Sequence, residues 1–454
     1  MPSFFVIMPK YSDKYIVLFG EVVTHMQHPT LQEKGGSYAP GLVGKTELVP
    51  RPTCPFLWQR GGTSILLAER NTPMGLSKTI WTNPTEYLRN QQPENPVLFF
   101  APQAVQATAR RFLQGFPGLV TYAVKSNPSE EVVENLIAAG VKGFDCASPF
   151  EIDLIRRLDP DAAIHYHNPV RSRAEIAFAI DRNVTSWSVD SRSELAKLIE
   201  LVPADGCEIS VRFKLPVEGA AYNFGAKFGA TAEVAAELLK TVADAGFVPS
   251  ITFHPGTQCT DPEAWASYIR EAAVIARNAG VKIARLNVGG GFPNNRVDGE
   301  SVDLHAIFET IDRVTAESFG ANRPALVCEP GRGLCGDAFA VAARVKSVRD
   351  DQHVFLNDGI YGSMFEFSQI GIINRIEVMD QNGHRRMGEV QGRVVFGPTC
   401  DSVDRLPGEV PLASDVQEGD FIVFQGMGAY STVTNSRFNG FGELGVVTVL
   451  SLKA

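Results

Sequence analysis

Leu119-Val-Thr-Tyr-Ala-Val124-Lys125-Ser-Asn127-Pro-Ser-Glu-Glu-Val-Val-Glu-Asn-Leu-Ile-Ala-Ala139 is the stretch that decides the fold. A short apolar run, too brief for a helix, ends in a polar Lys-Ser-Asn-Pro turn, and a segment of helical period follows. This is the pattern of a βα unit. The alternation repeats on either side. Val97–Phe100 stands before the helical Ala104–Leu113, Gly143–Asp145 before Pro149–Arg157, and Ile164–Tyr166 before Arg173–Ile180. Trp187–Val189 precedes Ser193–Leu201, Ile209–Phe213 precedes Thr231–Ala245, Ile251–His254 precedes Pro262–Ala279, and Leu286–Val288 precedes Leu304–Phe319. Ala325–Cys328 would be a further strand. About eight such units predict an α/β fold, a (β/α)8 TIM-like barrel over residues 97–334. An open doubly wound sheet would give the same alternation.

Outside that span the texture changes. Residues 1–96 are broken by Pro and Gly (Pro29, Gly35-Gly36, Pro40-Gly41, Pro50, Pro52, Gly61-Gly62) and read as an N-terminal extension of strands and loops, part of which joins the second domain. Residues 335–454 carry Val341–Val348, Val354–Asn357, Val394–Phe396, Phe421–Phe424 and Gly445–Leu450 between Gly, Pro and Asp turns. They predict a β-rich, largely antiparallel C-terminal domain, sandwich- or barrel-like.

The 454 residues are 44% apolar and 20% charged, which argues against a disordered chain or a membrane protein. A net charge of −9 offers no field for a polyanion, so nucleic acid is not an expected partner. The seven cysteines include no C-x-x-C pair and suggest a reducing compartment. Phe4–Met8 gives only five consecutive apolar residues at the start, short of a signal segment. A soluble, cytoplasmic protein is expected.

In a parallel barrel, polar residues just past strand ends face the active side. Lys125 stands there, where desolvation would lower its pKa and make the amine a nucleophile towards an aldehyde. Asp145 closes the next strand. His254, before Pro255-Gly256-Thr257, is placed to stack on a planar ring or act as an acid. Gly289-Gly290-Gly291 allows backbone N–H groups to approach an anion, though it matches neither G-x-G-x-x-G nor a P-loop. Glu329 and Arg332 offer a carboxylate and, three residues on, a guanidinium able to fork onto a phosphate. Cys400, beside Asp401, is a candidate thiol acid or nucleophile. His165 and His167 hint at a metal, but no further ligand stands at suitable spacing and none is expected.

In order along the chain, Tyr122-Ala-Val-Lys125-Ser-Asn127, Phe144-Asp-Cys-Ala-Ser148 with Glu151-Ile152, Phe253-His254-Pro-Gly256-Thr257, Gly289–Pro293, Glu329-Pro-Gly-Arg332, Gly397-Pro-Thr-Cys400-Asp401, and Gly428-Ala-Tyr430 with Phe438-Asn-Gly-Phe441 resemble one family. It is the pyridoxal-phosphate-dependent basic amino-acid decarboxylases of the alanine-racemase-like fold, with the ornithine enzymes nearest. The resemblance implies that Lys125 holds pyridoxal 5'-phosphate as a Schiff base, Glu329 pairs with the pyridine nitrogen and His254 stacks on the ring. Gly289, Gly290, Gly291, Arg332, Thr257 and Tyr430 would hold the phosphate. Asp145, Glu151 and Arg212 match supporting groups near the lysine and ring. Cys400 matches the thiol that protonates the α-carbon, and Asp401 the acid that receives the distal ammonium. Both reach the other subunit's cofactor in this family, implying a homodimer with shared sites. The implied activity is decarboxylation of ornithine to putrescine or lysine to cadaverine.

One departure and one comparison bear on the substrate. After Asn357-Asp-Gly-Ile-Tyr361-Gly-Ser363 the usual Tyr-Asp pair is missing, so that Tyr361 and Asp401 lack one expected acid and Glu366 is the nearby substitute. Cys400-Asp-Ser-Val-Asp404 differs from the Cys-Glu-Ser-Gly-Asp of diaminopimelate enzymes. A decarboxylase of a larger amino acid, such as diaminopimelate or a siderophore precursor, a racemase, and a non-catalytic regulator of polyamine metabolism are the alternatives. The last of these would be expected to lose Lys125, Glu329 or Arg332, and all three are present.

Overall fold

The computed structural model describes residues 79–215, 227–299, 301–371 and 374–453. The short apolar runs become strands β1 (Val97–Phe100), β2 (Leu119–Ala123), β3 (Gly143–Cys146), β4 (Ala163–Tyr166), β5 (Ser186–Val189), β6 (Glu208–Arg212), β7 (Val248–Thr252), β8 (Arg285–Asn287) and β9 (Ala325–Cys328). Among the described residues, β2 to β9 form a closed barrel of eight parallel strands. Pairing of Leu119 with Val327 and Val120 with Cys328 closes the ring. The open doubly wound alternative is thereby excluded.

Helices cover the outside, and their starts follow local chemistry. Ser148, Ser191 and Thr231 accept hydrogen bonds from backbone N–H groups of the first turn, and Ser172 with Glu175 forms a reciprocal capping box. These caps fix where each helix leaves its loop, and hence where each strand-end residue points.

One expectation fails. Val97–Phe100 is not the first strand of the barrel; β1 pairs antiparallel with β10 (Phe339–Arg349) and parallel with β16 (Gly445–Thr448) in the second sheet. All four of its residues are buried. Leu98 and Phe100 join the main core, while Val97 and Phe99 pack with Leu88, Met379, Phe421 and Val423 on the other face. A strand buried on both faces carries no period to tell a barrel position from a sheet position. The barrel therefore begins at Leu119 and uses Ala325–Cys328 as its last strand.

The second sheet also contains β11 (His353–Leu356), β12 (Ile376–Met379), β13 (Val390–Phe396), β14 (Val410–Ala413) and β15 (Phe421–Gln425), ordered β12-β15-β10-β11-β13-β14. Its pairings are mostly antiparallel, with β1·β16 and β11·β13 parallel. The helix Pro84–Gln91 and Trp81 lie on this sheet, Trp81 bridging Val449. Most of the expected N-terminal extension, residues 1–78, is outside the described residues.

Candidate active site

The turn after β2 puts Lys125 at the C-terminal mouth of the barrel, and its amine lies 3.4 Å from Oδ2 of Asp145 at the end of β3. Burial pulls the amine's pKa down, but Asp145, Tyr430 and Glu329 outweigh it and the net shift is upward. The downward shift expected from desolvation is thus reversed by the neighbouring acids. Asp145 responds in turn: burial and the Glu329 carboxylate push it up against the pull of Lys125.

Lys125 opens into a pocket of about 270 Å³ that is also lined by Asp145, Arg212, His254, Thr257 and Gly290. Gly291, Glu329, Arg332 and Tyr430 complete the expected part of its wall. His254 Nδ1 accepts from the Gly256 N–H at 3.1 Å, and burial together with Arg212 and Lys125 pulls the imidazole down to about 3. A neutral imidazole near pH 7 suits a flat stacking face. Glu151 stands one layer back, accepting from Ala147 N–H at 2.7 Å; burial raises it to about 7.

The glycine turn divides its work. Gly290 and Gly291 face the pocket, but Gly289 is turned away: its N–H is spent on Asn287 Oδ1 at 2.9 Å and its carbonyl accepts from Glu329 N–H at 2.8 Å. Gly289 shapes the turn instead of offering a donor to an anion. A Cβ on Gly291, at φ +86°, would lie 2.2 Å from the Gly256 carbonyl oxygen, so a side chain is excluded there.

Tyr430 comes from the β-rich part of the chain. Its N–H donates to Ser126 O at 2.7 Å, and Asn127 Nδ2 donates to Gly428 O at 2.9 Å. These bonds tie the 426–430 loop to the Lys125 turn. Tyr430 holds a left-handed φ of +65°, uncommon for a bulky residue and characteristic of an over-determined functional site.

Glu366, expected as the substitute acid, is engaged by a cation of the chain itself. Its carboxylate forks onto both terminal nitrogens of Arg332, a residue of the pocket wall. Opposite charge and proximity explain the pairing, which sequence spacing does not reveal.

Cys400, Asp401 and Tyr361 do not line this pocket. They form a separate group in which Tyr361 donates to Asp401 Oδ2 at 2.6 Å, holding that carboxyl below its usual range. Buried Asp404 fixes the loop through Thr399 and Ile360 N–H, and Asn439 Oδ1 accepts from Cys400 N–H at 3.0 Å. Cys400 is exposed, and its neighbours Val403 and Phe438 are 58% and 42% exposed.

The wall also includes His167, Asn168, Pro169, Lys227 and Phe228, which sequence reasoning did not assign to the site. His167 follows β4 as Asp145 ends β3, so the strand-end rule applied evenly would have found it. His165, His167 and Glu329 bring potential ligand atoms within 4.8 Å of one another. His167 Nδ1 and Glu329 Oε1 are, however, committed to each other at 2.6 Å.

The model of the pyridoxal-binding domain of pyridoxal-dependent decarboxylases matches residues 103–336. The chain belongs to the pyridoxal-dependent decarboxylase family. Within that family it is 33% identical over 334 residues to the lysine/ornithine decarboxylase of Selenomonas ruminantium, covering 71% of this chain and 81% of that protein. It is 29% identical over 373 residues to mouse (Mus musculus) ornithine decarboxylase, covering 75% and 77%. The arginine decarboxylase of Paramecium bursaria Chlorella virus superposes with a TM-score of 0.72 at 26% identity, over 80% of this chain and 98% of that one. That superposition shows a decarboxylase fold, here a parallel barrel together with a mostly β sheet. The site fits the family's cofactor: an amine, a carboxylate and a glycine cradle that a Cβ would fill converge on one pocket, and buried Arg332 Nε has no partner among the described residues.

Proposed function

We propose that the protein is a pyridoxal-phosphate-dependent decarboxylase of a basic amino acid, ornithine or lysine. The observation that carries this reading is Lys125 and Glu329 in one pocket with the Gly290–Gly291 turn and Arg332. Bound pyridoxal phosphate supplies an aldehyde for the amine and a ring that accepts the electron pair freed as CO₂ leaves. Lys125 would hold the aldehyde carbon, with Asp145 keeping the amine oriented. His254, neutral and flat, would lie against the ring, and Arg212 beside it. Glu329 would face the ring nitrogen. Gly290, Gly291, Thr257 and Tyr430 would hold the phosphate, and Arg332 would exchange Glu366 for it.

Cys400 Sγ would hold the proton delivered to the α-carbon, and Asp401 with Tyr361 would bind the distal ammonium. Because these three sit on a separate face bordered by exposed Val403 and Phe438, the reading requires a second copy of the chain to bring them to the pocket. A homodimer with two shared sites follows, in a reducing cytoplasm that keeps Cys400 a free thiol, with a diamine of polyamine biosynthesis as product. Among the described residues no helix is long and apolar enough to cross a membrane.

The test is uptake of pyridoxal phosphate, followed by visible absorbance, and CO₂ release from ornithine, lysine, arginine and diaminopimelate. Ornithine or lysine is expected to be the best substrate, and Lys125→Ala to lose both the band and CO₂ release. A preference for diaminopimelate, or an unchanged band in Lys125→Ala, contradicts the reading.

A further inference from the structure

His167 follows the C-terminal end of β4, its Nδ1 2.6 Å from Glu329 Oε1 and its Nε2 3.2 Å from Ser186 Oγ. Ser186 Oγ donates to Glu208 Oε2 at 3.0 Å, and that carboxylate also accepts from Ser250 Oγ at 2.5 Å and Arg285 Nη1 at 3.0 Å. A serine hydroxyl has one proton to donate. Ser186 spends it on Glu208, so its oxygen accepts from His167 and Nε2 carries a proton. On the other side, Asn287 Oδ1 accepts from Gly289 N–H at 2.9 Å, which turns Nδ2 towards Glu329 Oε1 at 2.5 Å. His167 and Asn287 therefore converge on one oxygen, Oε1, with a single proton lying between imidazole and carboxylate.

His167, Glu329, Ser186, Glu208, Ser250 and Asn287 are buried inside the barrel, and Arg285 is half-exposed. Glu329, Asp145 and Glu208 face the imidazole with negative charge, Arg285 is paired with Glu208, and Lys125 is closer to Asp145. His165, stacked on His167 at 5.1 Å, is pulled down to about 4 by burial and by His167 itself, so it stays neutral. Burial disfavours a charged His167, but the carboxylates, Glu329 first, outweigh it and raise its pKa. Burial likewise pushes Glu329 up, and His167 and Lys125 hold it below the usual carboxylate range.

We propose that His167 is a positioning residue for the cofactor's ring nitrogen: it pins Oε1 of Glu329 and shares its charge, leaving Oε2 to meet that nitrogen with a weakened hold on its proton. This rests on the functional reading above, in which Glu329 faces the ring nitrogen. A carboxylate whose charge is partly balanced by an imidazolium is a poorer base towards a second cation than one standing alone. His167 thus sets how firmly the ring stays protonated, and with it how strongly the ring draws electrons.

The holoenzyme reconstituted with pyridoxal phosphate carrying nitrogen-15 in its ring reports the nitrogen's protonation through its chemical shift against pH. His167→Ala is expected to raise the pH at which that proton leaves by about one unit, roughly a tenfold gain in proton affinity. His167→Gln, which keeps a donor to Oε1 but no charge, should also raise it. Midpoints unmoved in both variants, with cofactor bound, overturn the proposal. A second measurement needs no cofactor: in the protein freed of it, the His167 ring should titrate above 6.5 and fall in Glu329→Gln. A His167 titrating at or below 6.5 in the unmutated protein overturns the proposal equally. A protein that takes up no pyridoxal phosphate overturns the functional reading and the ring-nitrogen claim together, a result distinct from an unmoved midpoint.

Discussion

Glu151 shows how much environment decides at the scale of one residue. Burial raises its carboxyl from 4.5 to about 7, against the pull of the Ala147 N–H bond. The folded chain then holds that proton more tightly than the unfolded one. Its contribution to stability is complete below the unfolded value and is lost as pH rises through about 7. The loss amounts to about 3 kcal/mol at most. Glu151→Gln keeps the acceptor oxygen and removes the charge. Urea unfolding at pH 5 and pH 8 is therefore expected to show a smaller fall in stability for Glu151→Gln than for the unmutated protein; parallel falls would contradict the assigned environment. Lys125, Asp145, His254 and Glu329 were legible in the sequence because each follows or ends a strand whose apolar run is plain. Their protonation was not, because it depends on which acids face the lysine across the barrel. The pairing of Glu366 was hidden for the same reason: its partner Arg332 is 34 positions away in the chain.

At the scale of elements, the βα loops decide what reaches the pocket. Arg171 is 2% exposed and donates to the carbonyls of Tyr166 at 2.9 Å, Asn168 at 2.6 Å and Ser188 at 2.5 Å. It locks the loop bearing His167 and Asn168 onto β5. Arg171→Met leaves those buried carbonyls unsatisfied and should lower stability by about 2–4 kcal/mol, read by chemical denaturation. A loss below about 0.5 kcal/mol would show that the loop is held by other means. Gly291→Ala places a Cβ against the Gly256 carbonyl in a left-handed backbone. It should cost about 1–3 kcal/mol and weaken pyridoxal phosphate binding, measured by thermal melting and cofactor titration. Unchanged binding would remove the turn from the phosphate site. The helices and barrel strands were readable from period and length. The place of β1 was not, because four consecutive buried residues carry no face preference, and its partners β10 and β16 lie more than 200 positions away.

At the scale of the whole molecule, one chain divides its chemical groups between two places. The pocket gathers Lys125, His254, Glu329 and Arg332, while Cys400, Asp401 and Tyr361 stand on another face. The motif order made both groups visible in the sequence. Only the fold shows them apart, since loops 357–363, 397–404 and 436–441 converge on each other and away from the barrel pocket. The proposed decarboxylation, with Cys400 returning the proton, brings both groups to one substrate and therefore depends on the proposed second copy. The most direct measurement is CO₂ release after mixing Lys125→Ala with Cys400→Ala, each impaired alone. Random exchange makes half the dimers mixed, each with one intact site of two, so activity should recover to about a quarter of the unmutated protein's. No recovery, with subunit exchange demonstrated, would contradict the shared site.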